Sequence, residues 1–276
     1  MKIKTQTVYA FNKILSYILK LKILDTSASI ELLINSEYSL RRFGDGELSI
    51  IMGGDIHFQN YHPGLASQLK TVLKNVNNPP LLKIGIPLAI NSVSDYKKQS
   101  QDFWRDNMNT GRMHWFRFCG FRNTYLNASL TRCFFDYENK NNSKFWFEEL
   151  MKLWAEKKIL IIEGETSHLG LNNGLFSNTK AIDRVICPAE NAWDKYDEIF
   201  YVTQKIAAGY EQILVSLGPT ATILARDICA LGYRIIDIGH LNLEYEMYLR
   251  ANEHIERELS EPLTKEDYQN QIIMNI

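Results

Sequence analysis

The chain has 276 residues, 45% of them hydrophobic and 23% charged, with 31 lysines and arginines against 32 aspartates and glutamates. This composition belongs to a globular protein, and a formal net charge of -1 gives no general pull toward nucleic acid, so no nucleic-acid partner is expected. The cysteines, Cys119, Cys133, Cys187 and Cys229, form no CxxC pair, which argues against a zinc site or a disulfide framework and for reduced thiols in a cytoplasmic protein.

No apolar run reaches bilayer-spanning length. Residues 1–25 carry helical spacing, with Val8, Phe11, Ile14, Leu15, Ile18, Leu21 and Leu24 near one face and Lys13, Lys20 and Lys22 among or opposite them. Two readings stand: a basic amphipathic helix resting on a membrane surface or partner, or an ordinary helix packed on the core. SLRRF (39–43) reads as a strand ending at Gly44, 65–76 as a helix stopped by NNPP, and LLKIGIP (81–87) as a buried strand. The aromatic and arginine-rich stretch 96–125 suits helices lining a cleft. An amphipathic helix over 145–157 precedes the apolar strand KILIIEGE (158–165).

The last third alternates: strand 184–188, helix 197–209, strand 212–218, helix 219–232, strand 233–239. This rhythm predicts a Rossmann-like α/β fold, a mostly parallel sheet flanked by helices. No linker divides the chain, so 1–276 is expected to be one domain. The polar residues 251–276 are expected to be a loosely held tail.

Ligands of such sheets collect beyond the carboxyl ends of the strands, and four of these ends are unusual here. Gly44-Asp45-Gly46-Glu47 sets two acids two residues apart. In extended chain they point to one side, a hard-oxygen pair for magnesium or manganese, although acids and glycine also make turns. Glu165, Ser167, Asn172 and Asn173 lie in a Gly/Asn/Ser loop that either turns amides toward phosphate or simply caps a helix. Gly218-Pro219-Thr220 is a helix start and a natural phosphate position, without a P-loop or GxGxxG pattern. His240, Glu244 and Glu246 follow the last strand as candidate proton acceptors or ligands.

Taken in order, Arg42-Phe43-Gly44-Asp45-Gly46-Glu47, Gly218 to Thr222, Asp237 to His240, and Glu244-Tyr245-Glu246 resemble the motifs of the bacterial GT-D fold glycosyltransferases. A run of Asn173, Leu175, Phe176, Asn178, Ile182, Arg184 and Pro188 adds to the likeness, which spans roughly residues 38 to 250. The resemblance implies transfer of a sugar from a UDP-sugar donor to a glycan or glycoprotein acceptor in bacterial surface glycoprotein or polysaccharide synthesis. It implies Mn²⁺ or Mg²⁺ on Asp45 and Glu47 beneath the donor diphosphate. Arg42, Gly44, Gly46, Arg132, the 165–173 loop residues and Gly218 to Thr220 would shape the donor pocket, and His240, Glu244 or Glu246 would serve as base, a carboxylate being favoured. For Arg132 a surface role stands beside a phosphate-binding one. The protein would work in the cytoplasm, at the inner membrane face or against a partner glycosyltransferase. The chain departs from the family pattern at His168, Gly174, Leu241, Asn242 and Met247, positions that bear on donor or acceptor identity. A metal-dependent nucleotide-sugar hydrolase and a non-catalytic partner-binding module are the alternatives.

Overall fold

A computed structural model describes Ile14, residues 18–252 and residues 262–276. Its strands are β1 (Lys22–Ile23), β2 (Ser39–Arg42), β3 (Leu82–Ile86), β4 (Thr124–Asn127), β5 (Lys158–Gly164), β6 (Ala181–Cys187), β7 (Gln212–Ser216), β8 (Ile235–Asp237) and β9 (Ile272–Asn275). They form one sheet in the order β1-β4-β3-β2-β8-β7-β5-β6-β9, and every neighbouring pair is parallel. The helices are α1 (Thr26–Ile34), α2 (Asp45–Ile51), α3 (Pro63–Lys74), α4 (Lys98–Phe118), α5 (Ser143–Met151), α6 (Tyr196–Ile206), α7 (Pro219–Ala230), α8 (Leu241–Ala251) and α9 (Lys265–Asn270).

Parallel strands need crossovers, the crossovers cover both faces, and central strands therefore read as unbroken apolar runs. In β5, Ile159 and Ile161 pack into one core while Leu160 and Ile162 pack into the other, under α6 and α7. The expected α/β architecture is the observed one. At the pair β2–β8, joined through Leu40 and Ile236, the outgoing connections diverge. The chain leaves β2 toward β3 on one side and leaves β8 toward β9 at the opposite edge. That divergence opens a crevice at the carboxyl ends of β2 and β8, the switch point of the fold.

Three expectations change. The amphipathic helix over 1–25 lies mostly outside the described residues. At its end Leu21 is buried, and Lys22–Ile23 form a strand beside β4 rather than a last helical turn. Within 96–125, α4 is followed by β4, an element hidden by the aromatic composition. The tail also forms structure: α9 and β9 dock beside β6. The reason is a buried polar cluster. Glu163 of β5 and Arg184 of β6 form an ion pair with no side-chain exposure. Tyr268 donates its hydroxyl to Glu163 at 3.0 Å, and Gln271 accepts from Arg184 Nε at 2.8 Å. Polar tail residues are thus what the buried charges require.

Removing one partner from a buried pair leaves an uncompensated charge. Glu163→Gln is expected to lower unfolding free energy by about 3–5 kcal/mol. Lys98→Ala, which breaks the exposed Lys98–Asp102 pair, should leave it nearly unchanged, because water screens that pair. Urea denaturation of both variants checks the contrast, and equal losses would contradict it.

Candidate active site

The GDGE stretch is not extended. Gly44 is the N-cap of α2, so Asp45 and Glu47 sit in its first turn. Residues two apart on a helix point to different sides, which corrects the geometry expected from extended chain. Glu47 folds back and accepts a hydrogen bond from Gly44 N–H at 2.6 Å, while Asp45 is exposed. Both nonetheless line one cavity of about 450 Å³, together with Arg42, Gly44 and Gly46. Burial raises the Glu47 carboxyl to about 7, and the neighbouring Asp237 charge adds to the rise.

Arg42, at the end of β2, crosses the switch point. Its Nη2 donates to Asp237 of β8 at 3.0 Å, and its Nη1 donates to Ala128 O and Thr131 Oγ1, both at 3.1 Å. One guanidinium therefore ties β2, β8 and the turn after β4. Gly239 makes the crossing possible: its φ is +44°, and a Cβ there would lie 1.6 Å from Arg42 Nη2. Gly218, with φ +51°, is constrained in the same way by the Phe58 ring, 2.3 Å from where its Cβ would stand. Arg42 lines the cavity chiefly as its frame.

Arg132 is the more available cation. Asp136 accepts from its Nε at 2.7 Å and its Nη2 at 3.3 Å, and Glu244 Oε1 lies 3.9 Å from Nη2, yet about a third of the side chain is exposed. Arg132, Asp136 and His240 all line the cavity. His240 is exposed at the cavity mouth, yet the protein packed around its ring, then the Arg42 and Arg132 charges, lower the imidazole to about 4, which favours its neutral form.

Several expected site residues are elsewhere. Glu244 is 1% exposed and its carboxylate accepts from Phe134 N and Phe135 N at 3.1 and 2.7 Å. It anchors that turn and is not among the cavity-lining residues. Glu246 accepts from Asn242 Nδ2 at 2.8 Å and also lies outside the lining. The Glu165–Asn173 loop follows β5, two strands from β8. Glu165, Ser167, Asn172 and Asn173 do not line the cavity. Asn172 N donates to Leu263 O at 2.9 Å, and Asn173 is held by Asn242 Oδ1 at 2.9 Å. Asn242 thus bridges that loop to α8, accepting also from Gly170 N. Of the α7 start, Gly218 reaches the cavity, whereas Pro219 and Thr220 are buried behind it.

The sequence motifs did not mark Asp237 and Asp136 as lining the cavity, nor the aromatic walls Phe58 and Phe135, whereas Phe103 and Trp104 lie in the 96–125 stretch expected to line a cleft. Asp237 was visible inside its motif at a strand end. The others come from segments far from any strand-end motif.

Among the described residues, no three of His, Cys, Asp and Glu converge to hold a metal ion by themselves. Two carboxylates on a shared cavity do match magnesium or manganese, which take one or two protein carboxylates plus water and substrate phosphates.

An open, parallel α/β sheet with its charged cavity at the switch point defines the class of protein. The chain belongs to the glycosyltransferase GT-D fold family, whose model matches residues 40–261. The probable glycosyl transferase Gly of Streptococcus gordonii is 33% identical over 235 residues, 85% of this chain and 34% of that protein. Glycosyltransferase GlyD of Streptococcus pneumoniae serotype 4 is 33% identical over 218 residues, 79% of this chain and 26% of that protein. The chain thus spans about a third or less of the curated relatives it matches. A solved structure of domain of unknown function 1792, described as having a distinct glycosyltransferase fold, superposes with a TM-score of 0.87 at 32% identity over 98% of this chain and 99% of that one. A structure described as a new glycosyltransferase from Streptococcus sanguinis gives 0.84 at 29% identity, over 93% and 100%.

Gly239→Ala should destabilise the protein by about 1–3 kcal/mol, the range of strained backbone and forced repacking. Part of that loss should vanish in an Arg42→Ala background, because the clash is with Arg42. A thermodynamic double-mutant cycle measures the coupling; strict additivity would contradict it.

Proposed function

We propose that the chain is a metal-dependent glycosyltransferase that moves a hexose from a UDP-sugar to a glycan acceptor of a bacterial surface glycoprotein or polysaccharide. The observation that carries this reading is the switch-point cavity, where Arg132, two acids on the first turn of α2 and a neutral imidazole face one space. When bound, a magnesium or manganese ion on Asp45 and Glu47 supplies positive charge against the diphosphate leaving group. Arg132 adds a second cation for the phosphates. Arg42 fixes the spacing of the strand ends, and Phe58 and Phe103 give the cavity apolar walls.

In the transfer, an acceptor hydroxyl oxygen bonds to the anomeric carbon. The bond from that carbon to the diphosphate oxygen breaks, and its electron pair leaves with UDP. The hydroxyl proton passes to His240, the only one of the three expected bases that lines the cavity. Donor phosphates beside the imidazole offset Arg42 and Arg132 and raise its proton affinity.

A UDP-sugar screen with Mn²⁺ or EDTA, with and without simple sugar acceptors, tests this by UDP release. Asp45→Ala and His240→Ala should each lower kcat by about 10²-fold or more, and Glu244→Gln should act on stability rather than on kcat. Equal release without acceptor points to the hydrolase. No release and no UDP binding leaves the partner-binding module.

A further inference from the structure

The cavity has a neighbour. Between α2 and α4 lies a second hollow of about 270 Å³, and Asp45 and Trp104 belong to the lining of both. Its floor depends on one glycine. A Cβ on Gly111 would stand 3.3 Å from Leu48 Cδ2, so α2 and α4 approach closely here because Gly111 has no side chain. Met52 is exposed in the lining, and the edges of the largely buried Trp104, Met108 and Trp115 back its apolar side. Ser49, Asn107 and Thr110 supply hydroxyls and an amide. The Asn107 amide is oriented by its bond to Phe103 O at 3.0 Å. Asp45 and His114 are the only titratable groups in this lining.

That chemistry suits a neutral polyol. A sugar ring offers an apolar C–H face to aromatic and thioether surface and a belt of hydroxyls to hydroxyl and amide partners. A charged peptide would find almost nothing to pair with. The position suits an acceptor: its hydroxyl must come within bonding distance of the anomeric carbon while the diphosphate stays in the donor cavity, and two hollows meeting at Asp45 give the acceptor an approach of its own.

We propose that the α2–α4 groove is the acceptor site, taking one sugar ring of the acceptor glycan and presenting its hydroxyl past Asp45 to the donor cavity. The inference rests on the donor reading given above. Trp104, shared by the two linings, is then the wall between donor sugar and acceptor sugar.

Saturation-transfer NMR on the full chain with UDP and Mn²⁺ tests it, with methyl β-glucoside, methyl β-galactoside and methyl β-N-acetylglucosaminide as probes and a parallel UDP titration. Thr110 is exposed on α4, so Thr110→Trp should fold and fill the groove. At least one glycoside should give a signal in the wild type that is lost in Thr110→Trp, with UDP affinity kept within about twofold, since no donor contact is removed. Asn107→Ala should weaken the same glycoside about fivefold, the worth of one neutral hydrogen bond. A glycoside signal unchanged in Thr110→Trp, or absent from the wild type while UDP binds, overturns the groove and leaves the donor reading standing. Absence of UDP binding overturns both.

Discussion

The guanidinium of Arg42 is the constraint on which the site depends. It leaves β2, passes over Gly239 and ends on Asp237 of β8, with a second edge on the turn after β4. The side chains of Arg42 and Asp237 are 14% and 5% exposed, so neither charge is fully hydrated and each needs the other. The switch point of a parallel sheet is a place where two strand ends are not spanned by a shared loop. Here a side chain spans it.

From that brace follows a division among the charges around the cavity. Arg42 and Asp237 are occupied with each other, and Glu47 gives an oxygen to the start of its own helix. Glu244 is spent on two backbone N–H groups. Asp45, Arg132 and His240 are the groups presented to the cavity with less of their hydrogen-bonding capacity engaged in the fold. A buried polar group with its partners in place is a structural element, and a partly exposed one beside a cavity is available to a ligand. By that criterion the site is smaller than its motifs.

Much of the fold was legible in the sequence. Short apolar runs bounded by turn signals, such as ILII in β5 and ILVS in β7, read as buried strands, and the helices between them implied parallel order. The GDGE and DIGH stretches marked two strand ends that the fold brings to one cavity. Their geometry was not legible. Whether Asp45 and Glu47 share a side depends on β2 ending at Arg42 and a helix starting at Asp45, a boundary that two glycines obscure. Glu244 looked catalytic because its partners, Phe134 and Phe135, lie about 110 residues away in the chain. The tail looked loose because polar residues usually mean solvent; Tyr268 and Gln271 instead satisfy the buried Glu163–Arg184 pair, which periodicity does not reveal. His168 packs edge-on against Tyr268 of that tail, with ring centroids 5.7 Å apart; Gly174 and Met247 have no role that these contacts explain.

The proposed donor position is the crevice between β2 and β8. The most direct measurement is a crystal structure of the chain soaked with UDP and Mn²⁺. Diphosphate density is expected in the cavity lined by Asp45, Arg132, Gly218 and His240, with the ion beside Asp45. Density beyond β5, on the Glu165–Asn173 loop, with an empty crevice between β2 and β8 would contradict it.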